Sequence, residues 1–297
     1  MLEIAKADAK KFATFHTVYA PNIFQRFDWN EMVDDATDCI SDRDLRFVYS
    51  GNSLISGFAL KGNSVSYPFM AAPYSDRSEF WSAVISYATS ASGKKEILLN
   101  EIPDVETKFL KRVKGFKLKW TKQKMMRPTE QCAPVLDDDF YFCELTETDK
   151  TEIVNVIYAA HAAGYTSTVW PPDMAETETA VNRRFASFGQ TNTLFMSNVV
   201  KRKADNEIAG VCIAGVYPAG YSTKDFATIH QVSVKPQYQR RGIAKAMMLK
   251  AISDASVISP VITLGVLVGN PAENLYKKIG FTAGPGYSEL IFKEAVT

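Results

Sequence analysis

The chain has 297 residues, 46% of them hydrophobic, with 34 basic against 33 acidic side chains and a net charge of +1. That length suits two α/β domains, each able to bury a core, and so even a charge gives no global basic field, which argues against a nucleic-acid partner. Cys39, Cys132, Cys143 and Cys212 form neither a Cys-x-x-Cys pair nor a His/Cys metal spacing, so they read as reduced thiols of a cytosolic protein, with no metal expected.

The start of the chain, Met-Leu-Glu-Ile-Ala-Lys-Ala-Asp, lacks the basic-then-apolar layout of a signal peptide. Ile4 reads as a strand residue, Asp8 as a helix cap, and Phe12 and Phe15 as the apolar face of the helix that follows. Phe47, Val48, Leu54, Ile55, Phe58 and Leu60 predict an apolar hairpin that needs a covering layer.

The same landmarks return later. Leu145 and Asp149 precede a helix carrying Ile153 and Val156, and Ile208-Ala-Gly210 parallels Ile55-Ser-Gly57 after a hairpin turn. Leu275-Tyr-Lys-Lys-Ile-Gly280-Phe281 parallels Phe109-Leu-Lys-Arg-Val-Lys-Gly115-Phe116. Corresponding landmarks in one order predict two copies of one fold, spanning 1–130 and 136–297. The join falls near Pro128 to Asp139, where Pro, Gln, Cys and an Asp run break the pattern.

In the second copy, Tyr165 and Trp170 stand in a Gly- and Pro-containing connection. They read either as an apolar, cation-holding wall for an acceptor, with Asp173 or Glu176 drawing an ammonium, or as plain surface. Lys201-Arg202-Lys203 reads as a solvated hairpin tip. Ile229-His-Gln-Val-Ser-Val234 alternates as a strand, which puts His230 on one face with Val232 and Val234. Ala244, Met247, Met248, Ala251 and Ala255 mark the buried face of the next helix. Between strand and helix lies Gln239-Arg240-Arg241-Gly242-Ile243-Ala244, a basic loop that opens the helix at a glycine. Its backbone N–H groups suit phosphate oxygens, and Gly242 lets a ligand come close. The run Ile258 to Val268 is too short to span a bilayer and is interrupted by Ser, Pro and Thr, so no membrane partner is expected.

The string Val234-Lys-Pro-Gln-Tyr-Gln-Arg-Arg-Gly-Ile-Ala resembles the coenzyme A loop of the GNAT acetyltransferases. Leu264-Gly-Val-Leu-Val-Gly-Asn-Pro-Ala-Glu-Asn-Leu-Tyr276-Lys-Lys-Ile-Gly-Phe281 resembles that family's closing strand-helix-strand unit. The resemblance covers both copies and implies an α/β (α+β) class. Each copy would be a mixed, mainly antiparallel central sheet flanked by helices, in a tandem-GNAT arrangement. The first copy looks degenerate, because Pro73-Tyr-Ser-Asp76-Arg-Ser-Glu79 replaces the glycine loop and Leu110 or a neighbour stands where the second has Tyr276.

What the resemblance implies for chemistry is acetyl-CoA bound once. It would lie along the backbone of Val232, Ser233 and Val234 and across Gln239, Arg240, Arg241, Gly242, Ile243, Ala244 and Lys245, with Asn270, near the start of the closing helix, read both as its cap and as a contact of the pantetheine arm. Tyr276, a phenol protonated at neutral pH, is the candidate general acid. The base is open. The family's strand-five Glu is replaced by Gly265, strand four offers Thr228, and His230 or a water chain are the remaining candidates. The leading reading is a cytoplasmic N-acetyltransferase acting on a primary amine of a small molecule, as monomer or homodimer. Its rivals are a non-catalytic acyl-CoA-binding module and an acyltransferase with another acyl chain or a hydroxyl acceptor.

Overall fold

The computed structural model describes residues 2–19, 33, 37, 40–216 and 226–293, so Cys39 lies outside the described residues. In chain order the elements are β1 (Leu2–Lys6), α1 (Ala9–Tyr19), β2 (Asp44–Ser50), β3 (Ser53–Lys61), β4 (Ser64–Met70), α2 (Arg77–Ser92), β5 (Glu96–Pro103), α3 (Asp104–Leu110) and β6 (Phe116–Pro128). There follow β7 (Phe140–Glu144), α4 (Lys150–Ala162), α5 (Met174–Gln190), β8 (Asn198–Arg202), β9 (Ile208–Gly215), β10 (Ala227–Val234), α6 (Ile243–Ala255), β11 (Val261–Leu267), α7 (Ala272–Lys278) and β12 (Thr282–Lys293).

Two compact units result, dividing at Gln123/Lys124, with the chain from Pro285 returning to the first. The sequence boundaries, 1–130 and 136–297, differ from this at both places. β12 is the reason: it pairs antiparallel with β5 from Tyr287↔Pro103 to Lys293↔Glu96, a partner far away in sequence. The first unit also holds β1 through β5 in order, antiparallel except for β4 and β5. The second holds β11-β10-β9-β8-β7, antiparallel except for β10 and β11. The expected class holds in both units.

The helices cover the sheets as their apolar faces dictate. In the first unit Phe12 of α1 packs on Phe47 and Phe69, while Phe80, Trp81, Val84 and Ala88 of α2 meet Phe58, Val65 and Leu99. In the second, α4 and α5 bring Ile153, Val156, Val181 and Phe185 onto Val211 and Ile213. On the other side α6 brings Met247, Met248, Ala251 and Ala255 onto Cys212, Ala214 and Ile229. Each such fully buried side chain contributes roughly 1.5–3 kcal/mol of apolar transfer.

The repeat survives in detail. Gly115 and Gly280, one after each short helix, both hold left-handed backbone (φ 96° and 91°). The caps diverge. Asp8 accepts from the Lys11 N–H at 2.9 Å, whereas Asp149 makes no capping bond. A 3-10 turn, Glu147–Asp149, already puts Asp149 in helical backbone, and its carboxylate pairs with Lys201 at 2.9 Å instead.

Candidate functional site

β10 and β11 run parallel over Ala227↔Ile262, Thr228↔Thr263 and Ile229↔Leu264, and their pairing ends there. On its other side β10 stays paired with β9 to Val234↔Gly210, with a register shift between Ile229 and Gln231. His230 is the extra, bulged residue. Ile229 and Val232 therefore face the same core although they stand three apart, and the period-two argument that gave His230 the face of Val232 and Val234 fails across the bulge. His230 is half-buried and is the first β10 residue beyond the last pair with β11.

The ladder also fixes which peptide groups are free. The Lys235 N–H donates to the Ala209 carbonyl at 2.9 Å, so Ser233 and Lys235 turn their peptides toward β9. By alternation Val232 and Val234 turn theirs toward the side that β11 has left. Ser233 thus leaves the expected cofactor set, its hydroxyl accepting from Gln231 Nε2 at 2.8 Å. The Gln239 side chain donates to the Val234 carbonyl at 3.2 Å.

At the end of this gap a 3-10 turn, Pro236–Tyr238, leads into the loop. Arg240 and Gly242 both adopt left-handed φ, 66° and 76°, and Gly242 is the N-cap of α6 with no side-chain capping bond. A Cβ on Gly242 would meet nothing within 4 Å. Open left-handed turns running into an uncapped helix start form an anion-binding concavity. Ile243 is buried and anchors the helix; Ala244 is half-buried, and Arg240 and Lys245 are exposed.

Tyr276, on α7, packs edge-on to Phe281 at 6.4 Å and joins the cluster containing Val232, Ala244 and Cys212. Burial pushes its phenol up to about 12, with the Cys212 thiol adding in the same direction. The hydroxyl has no hydrogen-bond partner among the described residues. It is a protonated donor held in an apolar setting.

Residues 197–283 match the model of the acetyltransferase (GNAT) domain. The match lies wholly within the second unit. Solved structures extend the likeness of fold to nearly the whole chain. A GCN5-related N-acetyltransferase from Sphaerobacter thermophilus matches with TM-score 0.73 at 12% identity, over 98% of this chain and 95% of that one. A GNAT-family acetyltransferase from Colwellia psychrerythraea matches at 0.61 and 12%, over 98% and 100%. A tandem GNAT protein from the clavulanic acid biosynthesis pathway matches at 0.56 and 10%, over 99% and 98%. A search of curated protein sequences returns no match.

Other residues singled out in the second unit make local contacts. Asn270 Oδ1 accepts from the Ala272 N–H at 3.0 Å, the capping role expected of it at the start of α7. Asp173 is the N-cap of α5, its Oδ1 accepting from the Glu176 N–H at 2.8 Å. Thr228 shares a hydrogen bond with Thr263 at 3.1 Å, and both are buried. Tyr165 does reach the mouth of the gap: its hydroxyl donates to the Val268 carbonyl at 3.4 Å and sits 3.0 Å from where Gly269 would carry a Cβ. Trp170 follows on the same segment, exposed at its edge, its carbonyl 3.0 Å from His161 Nε2.

Contacts not legible in the sequence steady the loop. Arg241 is held by Asp137 and Asp139, each at 2.6 Å, over the Phe140 ring. Its hydrogen bond draws the Asp137 carboxyl below the usual range. Glu207 accepts from the Tyr238 hydroxyl and from Lys235 at 2.9 Å, and these bonds lower its carboxyl likewise. Arg202 lies 5.5 Å from the Tyr238 ring, so the basic hairpin tip is partly docked on the loop. The signal available was an acidic run, Asp137-Asp-Asp139, opposite in charge to the arginine pair Arg240-Arg241.

Proposed function

We propose that the second unit is an acetyl-CoA-dependent N-acetyltransferase that passes the acetyl group directly to a primary amine of a small acceptor. The observation carrying this reading is the parting of β10 from β11 after Ile229↔Leu264, ending at the open, glycine-led start of α6. The residues there fit the donor, since nothing lies within 4 Å of a Cβ at Gly242. Bound there, acetyl-CoA supplies an activated thioester.

The backbone N–H groups of Gly242, Ile243, Ala244 and Lys245 hold the pyrophosphate, with Arg240 and Lys245 adding charge. The Val232 and Val234 peptides orient the pantetheine arm, and an N–H aimed at the developing oxyanion contributes about 3 kcal/mol. Tyr276 delivers its proton from Oη to the departing sulfur. His230, where β10 leaves β11, takes the proton of the amine. Tyr165 and Trp170 wall the acceptor end, and the work is done in the cytoplasm. The first unit binds no CoA, because Asp76 caps the start of α2 and closes it to anions.

Release of free thiol from acetyl-CoA by the purified chain, with and without a panel of primary amines, tests the reading. Amine-dependent release with matching amide product is the expected result. Tight CoA binding with no amine-dependent release would instead establish the binding-module alternative, which the absence of a strand-five Glu at the exposed Gly265 favours.

A further inference from the structure

The first unit repeats the parting of strands. β4 runs parallel to β5 over Ser64↔Leu98, Val65↔Leu99 and Ser66↔Asn100, and there the pairing ends. Tyr67 and Glu101, the next residue on each strand, both take left-handed φ (51° and 56°). Beyond them opens a cavity of about 380 Å³, walled by Pro68, Met70, Phe80 and Val105 among others, with Arg77 and Glu106 at its polar end. Cavities of this size hold small ligands.

Its polar groups are few and specific. The Ala71 N–H donates to the Ile55 carbonyl at 2.8 Å, so Ala71 turns its peptide toward β3, and Met70 by alternation turns its N–H and C=O toward the cavity. Glu106, only 6% exposed, accepts from Arg77 Nε at 3.0 Å and from Trp81 Nε1 at 2.9 Å. The Arg77 Nη groups have no partner among the described residues.

A charged ligand does not suit this site. Glu106 already matches the charge of Arg77, and Asp76 and Glu79 stand at the start of α2, where Asp76 accepts from the Glu79 N–H at 2.9 Å. That excludes phosphates on charge and leaves a backbone acceptor, backbone and guanidinium donors, the Tyr74 hydroxyl, already donating to Glu79 at 3.0 Å, and apolar walls. An uncharged ligand needs both an N–H for the Met70 carbonyl and a carbonyl for the Met70 N–H or Arg77. We propose that the cavity between the parted ends of β4 and β5 in the first unit is a binding site for a small, uncharged secondary amide with an apolar substituent. N-acylated amines belong to that class, so the second unit's own products qualify, a link that rests on the function proposed above; the site itself does not.

The full chain, labelled with ¹³C-methyl methionine and titrated with N-acetylbenzylamine, tests this without turnover. The expected result is a saturable shift of the Met70 methyl resonance, assigned through Met70→Leu, together with Overhauser contacts to the probe. Benzyl acetate, which lacks the N–H, should bind at least tenfold more weakly, and CoA should leave the resonance unmoved. Val105→Trp, at a residue 47% exposed, fills the cavity and should abolish the shift. No saturable shift, equal binding of benzyl acetate, a Met70 shift with CoA, or full binding by the folded Val105→Trp chain would each overturn the proposal. Failure of the chain to acetylate any amine would leave it standing.

Discussion

Arg241 grips Asp137 with two donors, Nε at 3.2 Å and Nη2 at 2.6 Å, both to the same carboxylate oxygen. With Asp139 on Nη2 as well, the positive charge of this arginine is spoken for before any anion arrives. Exposed pairs of this kind compete with a ligand rather than recruit it. Asp137→Asn combined with Asp139→Asn should therefore tighten CoA binding by about three- to tenfold at low salt, with a steeper salt dependence. Arg241→Ala alone should change affinity less than about threefold. Calorimetry at two salt concentrations decides; a large loss in Arg241→Ala would mean that the arginine turns to the phosphates after all.

Gly242→Glu puts a carboxylate into the open concavity and should remove CoA binding. Left-handed backbone at φ 76° adds a conformational cost of roughly 1–2 kcal/mol for any side chain. Gly242→Ala carries that cost without the charge and, with nothing within 4 Å, without a clash. Alanine should lower the melting temperature by a few degrees and keep measurable affinity. Equal affinity in the glutamate variant would move the phosphate site elsewhere.

Tyr276→Phe keeps the ring against Phe281 and removes only the hydroxyl. Acetyl-CoA affinity should hold while turnover falls about 10²–10⁴-fold, as for loss of a general acid. Because burial holds the phenol near 12, the wild-type rate should show no loss from this group as pH rises to about 10. Unchanged turnover in Tyr276→Phe would hand thiolate protonation to solvent.

His16 sits among the rings of Phe12, Tyr67 and Phe69, and burial drops its pKa to about 4. Folding then favours the neutral ring. The stability it contributes is full above about 6.5, the unfolded value, and is lost as pH falls toward 4. Denaturant melts across that window should show the fall, and His16→Phe should flatten it. An identical pH profile in the variant would assign the acid sensitivity to carboxylates.

Fragments separate the two boundary schemes. Residues 136–297 carry Pro285–Lys293 of β12 without β5, an unpaired strand that invites aggregation. They also lose Arg127, which donates to the Ile279 carbonyl beside α7. Residues 124–284 keep the second unit whole and should be the more soluble fragment and the one that binds CoA. Light scattering and calorimetry on both check this.

Much of the second unit was legible because its signals are local. The β-branched alternation of β10, the single glycine opening α6 and the apolar spacing of Met247, Met248 and Ala251 each depend on neighbours in sequence. The bulge at His230 was not legible, since an extra residue is defined only by the partner strand, and alternation counted along one strand passes straight through it. The same holds for Arg241. Its loop announced a cation, but which anion it meets depends on how the chain before Phe140 lies against α6. The capping role of Asn270 was legible because it depends only on the residues that follow it, whereas the cap made by Asp173 was read past in favour of its charge.

The placement of β12 also constrains how the molecule is made. A ribosome delivers the β1-to-β5 part early, but the strand that lies beside β5 leaves the tunnel only after every residue of the second unit. The unit encoded first is thus the one finished last, and until then β5 presents an open edge. During synthesis the second unit can reach its native state while the first still waits for its final strand, reversing the usual N-to-C order of domain completion.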